Sequence, residues 1–439
     1  MNIRVKCLSI LLSLLLLLSG VSALAEAPAE SSEYVDYAGQ LGLNITSETV
    51  KAEVTVKTFI DGDTVHFYAR GVTENGVLKA RFLAVNTPET TGKIEEYGKA
   101  AAAYTRSALE NAVSIIVESD NGAWNLDSTG DRYLVWVWYQ PEEGAAYRCL
   151  NLELLQNGLC IANSTANNRY GSTCMAALNQ ARALKLNVHS GKPDPDFYYG
   201  DAVELTLREL RTNLEAYNGI KVAFNGVVTM NSSNAVYVES FDPESGLYYG
   251  MSVYYGFGLS GKGLSILNVG NEVRIVGTVQ YYEAGGTWQV SGLTYRMMKP
   301  KDPGNIQLLS EGHHPAYVLT DAATFANGTV TLKDEDSERA FPYAELAVAT
   351  SIEMRGLVVK DVYTTDNEDS SSNGAMTLTC EQNGVTVYVR TAVLTDTQGN
   401  LVTADAFLGK TIDVRGVVDF FDGHHQVKVL TYNNITIHD

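Results

Sequence analysis

Cysteine is scarce, with five residues in 439, and Cys7 stands ahead of the first apolar run. The other four, Cys149, Cys160, Cys174 and Cys380, match no familiar metal or disulfide spacing, so neither a zinc module nor a dense disulfide framework organises this chain. Cys160 with Cys174 is the most plausible pair, and small buried thiols in a large core are the competing reading. Cations are also short, with 32 Lys plus Arg against 51 Asp plus Glu. Taken alone, that balance argues against a nucleic-acid partner, because phosphate is repelled by an acidic surface. Long apolar runs are lacking too, after the one that ends at Ala25, so no integral membrane segment is expected beyond it.

That single run, "LSILLSLLLLLSGVSALA", follows Arg4 and Lys6 and closes on Ala23-Leu24-Ala25. A basic start, an apolar stretch and a small-x-small end describe a secretory signal peptide over 1–25, and hence a secreted, extracellular mature protein. Cys7 precedes the run, which does not fit a lipoprotein anchor. Cleavage removes two cations and takes the formal charge from −19 to −21. The acid is unevenly spread: Lys51 to Ser190 holds 13 Lys plus Arg against 15 Asp plus Glu, whereas Gly191 to Asp439 carries −14. The segment that follows the leader is therefore close to neutral.

Some 414 mature residues call for two or three domains. Glu26 to Val50 contains no Lys or Arg and reads as a flexible leader. Alternation in "VTVKTFI", "TVHFYA" and "VLKARFLAV" predicts three strands, the first two joined by a tight turn at Asp61-Gly62. "EYGKAAAAYTRSALENAV" has helical spacing, "VSIIVES" and "YLVWVWY" are strands, and "NLELLQNG" and "CMAALNQARALKLNV" are helices. An OB-type five-stranded barrel with three helices over 51–191 fits this order.

After the linker "SGKPDPD" the chain turns almost wholly to strands. "VGNEVRIVGTVQYY", from Val269, aligns without a gap with "LGKTIDVRGVVDFF", from Leu408, and each follows an opening strand, around Gly226 and Gly356. The repeat predicts two smaller all-β, OB-like barrel domains, over 200–298 and 305–439 and separated by "MKPKDPGN". β-Sandwiches are the alternative. The fold class is thus mainly β, with an α+β first domain.

"IDGDTVHF", "RFLAVNTPET", "YGKAAAAYTRSALENA", "DRYLVWVW", "NLELLQNGL" and "KLNVHSG" occur in the order and at about the spacing of the staphylococcal nuclease family. The resemblance covers Ala52 to Gly191, a third of the chain, and the repeat behind it is similar to OB-like modules of secreted nucleases. It implies a calcium-dependent enzyme that cleaves phosphodiester bonds in DNA, RNA or both. Carried over residue by residue, it implies Asp63, Asn86 and Thr87 at the metal, Glu89 as general base, and Arg81 and Arg132 as phosphate clamps.

The chemistry of these residue types agrees. Phosphodiester hydrolysis needs a cation for the non-bridging oxygens, a base for water and donors that follow charge into the transition state. Asp63 is a hard oxygen ligand suited to Ca2+. Arg81 and Arg132 carry planar forks that grip phosphate. Glu89 is held by the Thr87-Pro88 turn. Each has a plainer reading: Asp63 a turn former, Arg81 a rim cation, Glu89 a solvated carboxylate. Asp61 is read as a turn residue alone.

The chain departs from the family pattern in three places. Asn86 stands where the family has an aspartate ligand; an amide oxygen still coordinates calcium, so a weaker site is expected rather than a dead enzyme. "DSTGDRYL" is one residue longer than usual, which bears on the register that selects Arg132. Ser164 and Ala166 lie where tyrosines usually pack on the nucleotide. Elsewhere, "GLYYGMSVYYGFG" offers aromatics for nucleic acid, core or carbohydrate, and His313-His314 and His424-His425 read as solvated turns. Two functions stand: a secreted monomeric nuclease, and an exported protein with an inactive barrel whose domains hold nucleic acid, a glycan or another protein, with a nucleic-acid or cell-surface ligand for the downstream barrels.

Overall fold

Three five-stranded barrels follow one another along the chain, each closed by the same pairing scheme. They are seen in a computed structural model, which describes residues 34–90, 92–334, 337–367, 370 and 372–438. The signal segment expected over 1–25 and the first leader residues lie outside the described residues. No helix among the described residues is long and apolar enough to cross a membrane.

The first barrel is built from β1 (Lys51–Phe59), β2 (Thr64–Tyr68), β3 (Val77–Phe82), β5 (Ser114–Glu118) and β6 (Tyr133–Gln140), with a two-residue β4 (Val85–Asn86) outside the ring. The order β3-β2-β1-β5-β6 is closed by the parallel pairing of β3 with β6, which makes it an OB-type barrel. Alternation along β2 and β3 puts Val65, Phe67, Leu78, Ala80 and Phe82 inside, where a large side chain gains roughly 1.5–3 kcal/mol from burial. Trp136 and Trp138 are fully buried, so their N–H groups need partners. Trp136 Nε1 donates to Asp120 at 3.0 Å and Trp138 Nε1 to Glu118 at 2.8 Å.

The three expected helices are present. α2 (Gly98–Glu110) buries Ala101, Thr105 and Leu109 at four-residue spacing, and α3 (Leu150–Gln156) is buried throughout. α4 (Gly171–Ala183) buries Cys174, Ala177, Leu178 and Ala181. A fourth, short helix comes from the leader. The segment read as flexible is packed from Tyr34 onwards: α1 (Tyr37–Gln40) buries Ala38 completely. Val35 N donates to Gln180 at 2.8 Å, and Arg148 grips the Asp36 carboxylate with two bonds of 2.9 Å. Composition misled because the cation that Asp36 needs lies 112 residues away.

The cysteines differ from the expected pair. Cys149, Cys160, Cys174 and Cys380 are free, buried thiols, and burial pushes those of Cys174 and Cys380 up to about 12. They fill core volume as small apolar groups.

The second and third barrels share the ring order of the first, closed by Lys221–Ser232 against Glu272–Tyr282 and by Ser351–Thr364 against Thr411–Phe421. The repeat has a structural cause. Gly270 and Gly409 both adopt left-handed φ, of 87° and 75°, at the turn into the strand. Gly277 and Gly416 both lie under a neighbouring strand, where a Cβ would come within 2.6 Å of the Ser291 carbonyl and 2.4 Å of the Lys428 carbonyl. Only glycine fits there. The second barrel reaches further than composition implies, because Gln307–Ser310 pairs along its Glu272–Arg274 edge. The two downstream barrels are joined by Glu239, whose buried carboxylate accepts from Ala316 N, Ser351 N and Ser351 Oγ at 2.8, 2.6 and 2.8 Å.

In "GLYYGMSVYYGFG" alternation buries Tyr249 while Phe257 is 92% exposed. His424-His425 is not the hairpin turn itself: the turn is Asp422-Gly423, and His424 opens the return strand, stacked 5.3 Å from Tyr388. His313, part-exposed, lies 2.7 Å from Ser310 Oγ through Nε2.

Candidate active site

One end of the first barrel gathers the residues singled out in the sequence. Arg81 closes β3 opposite Thr64 of β2, and parallel pairing places it beside Leu134 of β6, two residues after Arg132. The chain then turns through Ala84, held at a left-handed φ of 69°. Thr165 Oγ1 and Asn163 N donate to the Ala84 carbonyl at 2.7 and 3.3 Å. Beyond the turn, Val85–Asn86 pairs with Ile161–Ala162. That pairing fixes the backbone of Asn86, so its side chain returns toward Arg81.

Asp63 is fully buried, and a buried carboxylate demands donors. It has four. Arg81 Nη1 donates to Oδ1 in a buried ion pair, and Thr64 Oγ1 donates to the same oxygen at 3.1 Å. Thr87 N donates to Oδ2 at 2.7 Å, while the backbone N–H of Asp63 is taken by Asp61 Oδ1 at 3.1 Å. Arg81 Nη2 donates to Asn86 Oδ1 at 2.6 Å. The guanidinium therefore spans Asp63 and Asn86.

Asp61 is the residue that sequence reading undervalued. It does form a turn, but it is also buried, and its charge acts on Arg81, Arg132 and Glu89. Burial raises its pKa against the pull of Arg81. Nothing local marks it, because an aspartate beside a glycine is an ordinary turn sequence. Asp127 was missed as well. Arg132 donates to its Oδ2 at 2.7 Å from Nε, with Nη2 at the same distance. This two-pronged grip holds Arg132 over the site across the longer turn.

Glu89 sits in a segment whose described residues form no helix or strand between Asn86 and Gly98. The segment closes on itself: Glu95 N donates to the Glu89 carbonyl at 2.9 Å, and Glu89 N donates to a Glu95 carboxylate oxygen at 3.1 Å. Gly98 lets α2 begin directly under it, since a Cβ there would lie 2.7 Å from the Glu89 carbonyl oxygen. Half-burial raises the Glu89 carboxyl above the ordinary glutamate range, Asp61 raises it further, and Arg81 and Arg132 pull it back. One carboxyl and two cations thus sense each other's charge at one rim.

Asp63, Asn86 and Thr87 offer only oxygen donors, which suit a hard cation such as calcium. Thr87 Oγ1 is buried without a hydrogen-bond partner among the described residues, an orphaned oxygen of the kind a cation satisfies. No group of three or more His, Cys, Asp or Glu side chains suited to a metal is found among the described residues. The donor set has reduced charge, one carboxylate and one amide in place of two carboxylates, and Arg81 engages Oδ1 of both Asp63 and Asn86. Ser164 and Ala166 lie in the turn after Ile161–Ala162 and bring no ring to the rim.

The linker also takes part. Asp194, buried, accepts from Tyr97 N at 2.5 Å, and Tyr97 OH reaches the Lys192 carbonyl at 2.9 Å. Asp194 N in turn donates to Tyr199 OH at 2.8 Å. The first folded unit therefore runs past the Gly191 boundary expected from the motifs.

Residues 79–190 match the family model described as staphylococcal nuclease homologue. The match falls on the first OB-type barrel from β3 onward, and Arg81, Asn86, Thr87, Glu89 and Arg132 all lie within the matched residues, while Asp61 and Asp63 precede them.

Proposed function

We propose that the protein is a secreted nuclease, hydrolysing phosphodiester bonds in DNA, RNA or both with calcium. The observation that supports this best is the convergence of Arg81, Glu89 and Arg132 at the rim where Asp61 and Asp63 are buried. Arg81 and Arg132 would hold the phosphate, their forks matching its oxygens. Glu89, its carboxyl raised above the ordinary glutamate range by burial, would accept a proton from the attacking water. As negative charge grows on the phosphate in the transition state, the two guanidiniums attract it more strongly, which lowers the barrier. Arg81 is preorganised by Asp63, and Arg132 by Asp127. Calcium, held by Asp63, Asn86 and Thr87, would supply charge neutralisation at the phosphate.

One observation favours the rival reading of an inactive, binding barrel: the Arg81 guanidinium engages both Asp63 and Asn86. The two separate by one assay. Single-stranded DNA and RNA are incubated with the purified mature protein, with calcium and with chelator, beside Glu89→Gln. Cleavage that needs calcium and falls by about 10² to 10⁴ in the variant supports the enzyme. Oligonucleotide binding without cleavage in either protein supports the binding module.

A further inference from the structure

The described residues of the segment that carries Glu89 form no helix or strand between Asn86 and Gly98, so individual contacts set its shape. Two come from within the first barrel, the mutual Glu89–Glu95 bonds. Others come from a different domain. Gln280, on the Glu272–Tyr282 strand of the second barrel, donates from Nε2 to the carbonyl of Thr90, the residue that follows Glu89. Gln280 is itself oriented, because Ser291 Oγ donates to its Oε1. Two residues on, Gly92 meets the same barrel: a Cβ placed on it would lie 3.4 Å from the Tyr254 ring, and one on Gly292 would lie 3.7 Å from the Gly92 carbonyl oxygen.

The neighbouring helix is tied down in parallel. Arg106 of α2 pairs with Glu283 of the second barrel and lies 4.3 Å above the Phe59 ring of β1. Between these two ties runs a cleft of about 390 Å³ walled by both barrels, with Asp61 and Thr90 on one side and Gln280 and Tyr281 on the other. The cleft carries Lys99 and Arg106 against Asp61 and Glu283, a balanced charge that gives it no anion-binding character. The contacts brace a loop; they do not build a second pocket.

We propose that the second barrel is a working part of the catalytic unit, bracing the Glu89 loop from behind through Gln280 and the Arg106–Glu283 pair. Gln280 is then a positioning residue, acting on Glu89 through the Thr90 carbonyl. This rests on the nuclease reading above. It goes beyond the family resemblance, since every bracing residue of the second barrel lies after the matched residues 79–190. A base displaced by about 1 Å costs on the order of 10² in rate, so a distant amide has leverage over the chemistry.

The test uses the full-length mature protein and the variants Gln280→Met, Arg106→Glu, Glu283→Arg and the double Arg106→Glu/Glu283→Arg. Readouts are kcat and KM on a single-stranded DNA oligonucleotide at saturating calcium, calcium half-saturation, thermal midpoint, and amide hydrogen exchange of the peptide around residues 88–98. Gln280→Met should lower kcat ten- to a hundredfold, leave KM and calcium half-saturation within threefold, and speed exchange in that peptide. The charge-reversed double should recover kcat to within threefold of wild type where each single loses tenfold. Unchanged kcat and exchange in Gln280→Met, or no recovery in the double, would overturn the proposal. A wild type without activity whose loop still loses protection in Gln280→Met would refute the nuclease reading and keep the brace.

Discussion

Asn86 and Arg81 share one hydrogen bond, Nη2 to Oδ1 at 2.6 Å, and through the same guanidinium Asn86 is linked to Asp63. A neutral amide thus occupies the one position of the donor set where charge could be added without new bulk. If Asn86 holds calcium, Asn86→Asp places a second carboxylate beside the ion and should tighten binding about tenfold, or about 1.4 kcal/mol. Calcium titrations by calorimetry and by initial rate for both proteins would check it. An unmoved half-saturation point would exclude Asn86 from the metal site.

Arg132 depends on Asp127 for its aim. Arg132→Ala should lower kcat/KM on the order of 10³ or more, as expected for a lost transition-state donor. Asp127→Ala should cost less, roughly ten- to a hundredfold, because the charge survives while its orientation is lost. Steady-state kinetics on one oligonucleotide distinguishes the two. Equal losses would mean that Asp127 acts on the substrate itself, and an unaffected Arg132→Ala would place the second clamp elsewhere.

The linker contact changes where the first barrel can be cut. Asp194 is 4% exposed and caps the Tyr97 amide just ahead of α2. Asp194→Ala leaves that N–H without its charged acceptor and should cost about 1–3 kcal/mol, read as a shift of the urea midpoint. For the same reason a chain ending at Ser190 should be less stable than one ending at Gly200. Equal midpoints for the two truncations would show that the cap contributes nothing.

Much of the first barrel was legible because its signals are local. Alternation in "TVHFYA" and "VLKARF" and four-residue spacing in α2 each need only a few neighbours to interpret. The glycines of the repeat were legible as a pattern, and their cause, a strand crossing over Gly277 and Gly416, became visible only in three dimensions. Arg81, Glu89 and Asn86 could be picked out as a group because a single turn holds them. Asp61, Asp127 and Gln280 could not. Their importance lies in partners reached across the fold, and aspartate beside glycine reads as a turn whether or not an arginine faces it. Arg148, which orders the leader, failed to register for the same reason.

That leader supplies a pH test. Its bond to Arg148 holds the Asp36 carboxyl down at about 2, against an ordinary value of 3.8. A carboxylate with a depressed pKa stabilises the fold above the ordinary value, and that contribution disappears as the pH falls from about 4 toward 2. The pair is partly exposed, so its worth is at most about 1 kcal/mol. Urea midpoints of wild type and Asp36→Asn should therefore differ at pH 6 and converge near pH 2. A constant gap would separate Asp36 from the docking.

The placement of α1 has a consequence for how the chain comes together during synthesis. Ala38 and Val35 are among the first described residues to be made, yet Gln156 and Gln180, which receive their amides, follow 118 and 145 residues later. With translation at roughly 5–20 residues per second, those partners arrive seconds after the segment that needs them. The barrel strands can pair in the meantime, but the earliest segment must wait with open donors until α4 has been made. The part of the first domain that is synthesised first therefore cannot dock until α4 has been made, and only the contacts of Asp194 and Tyr199 follow it.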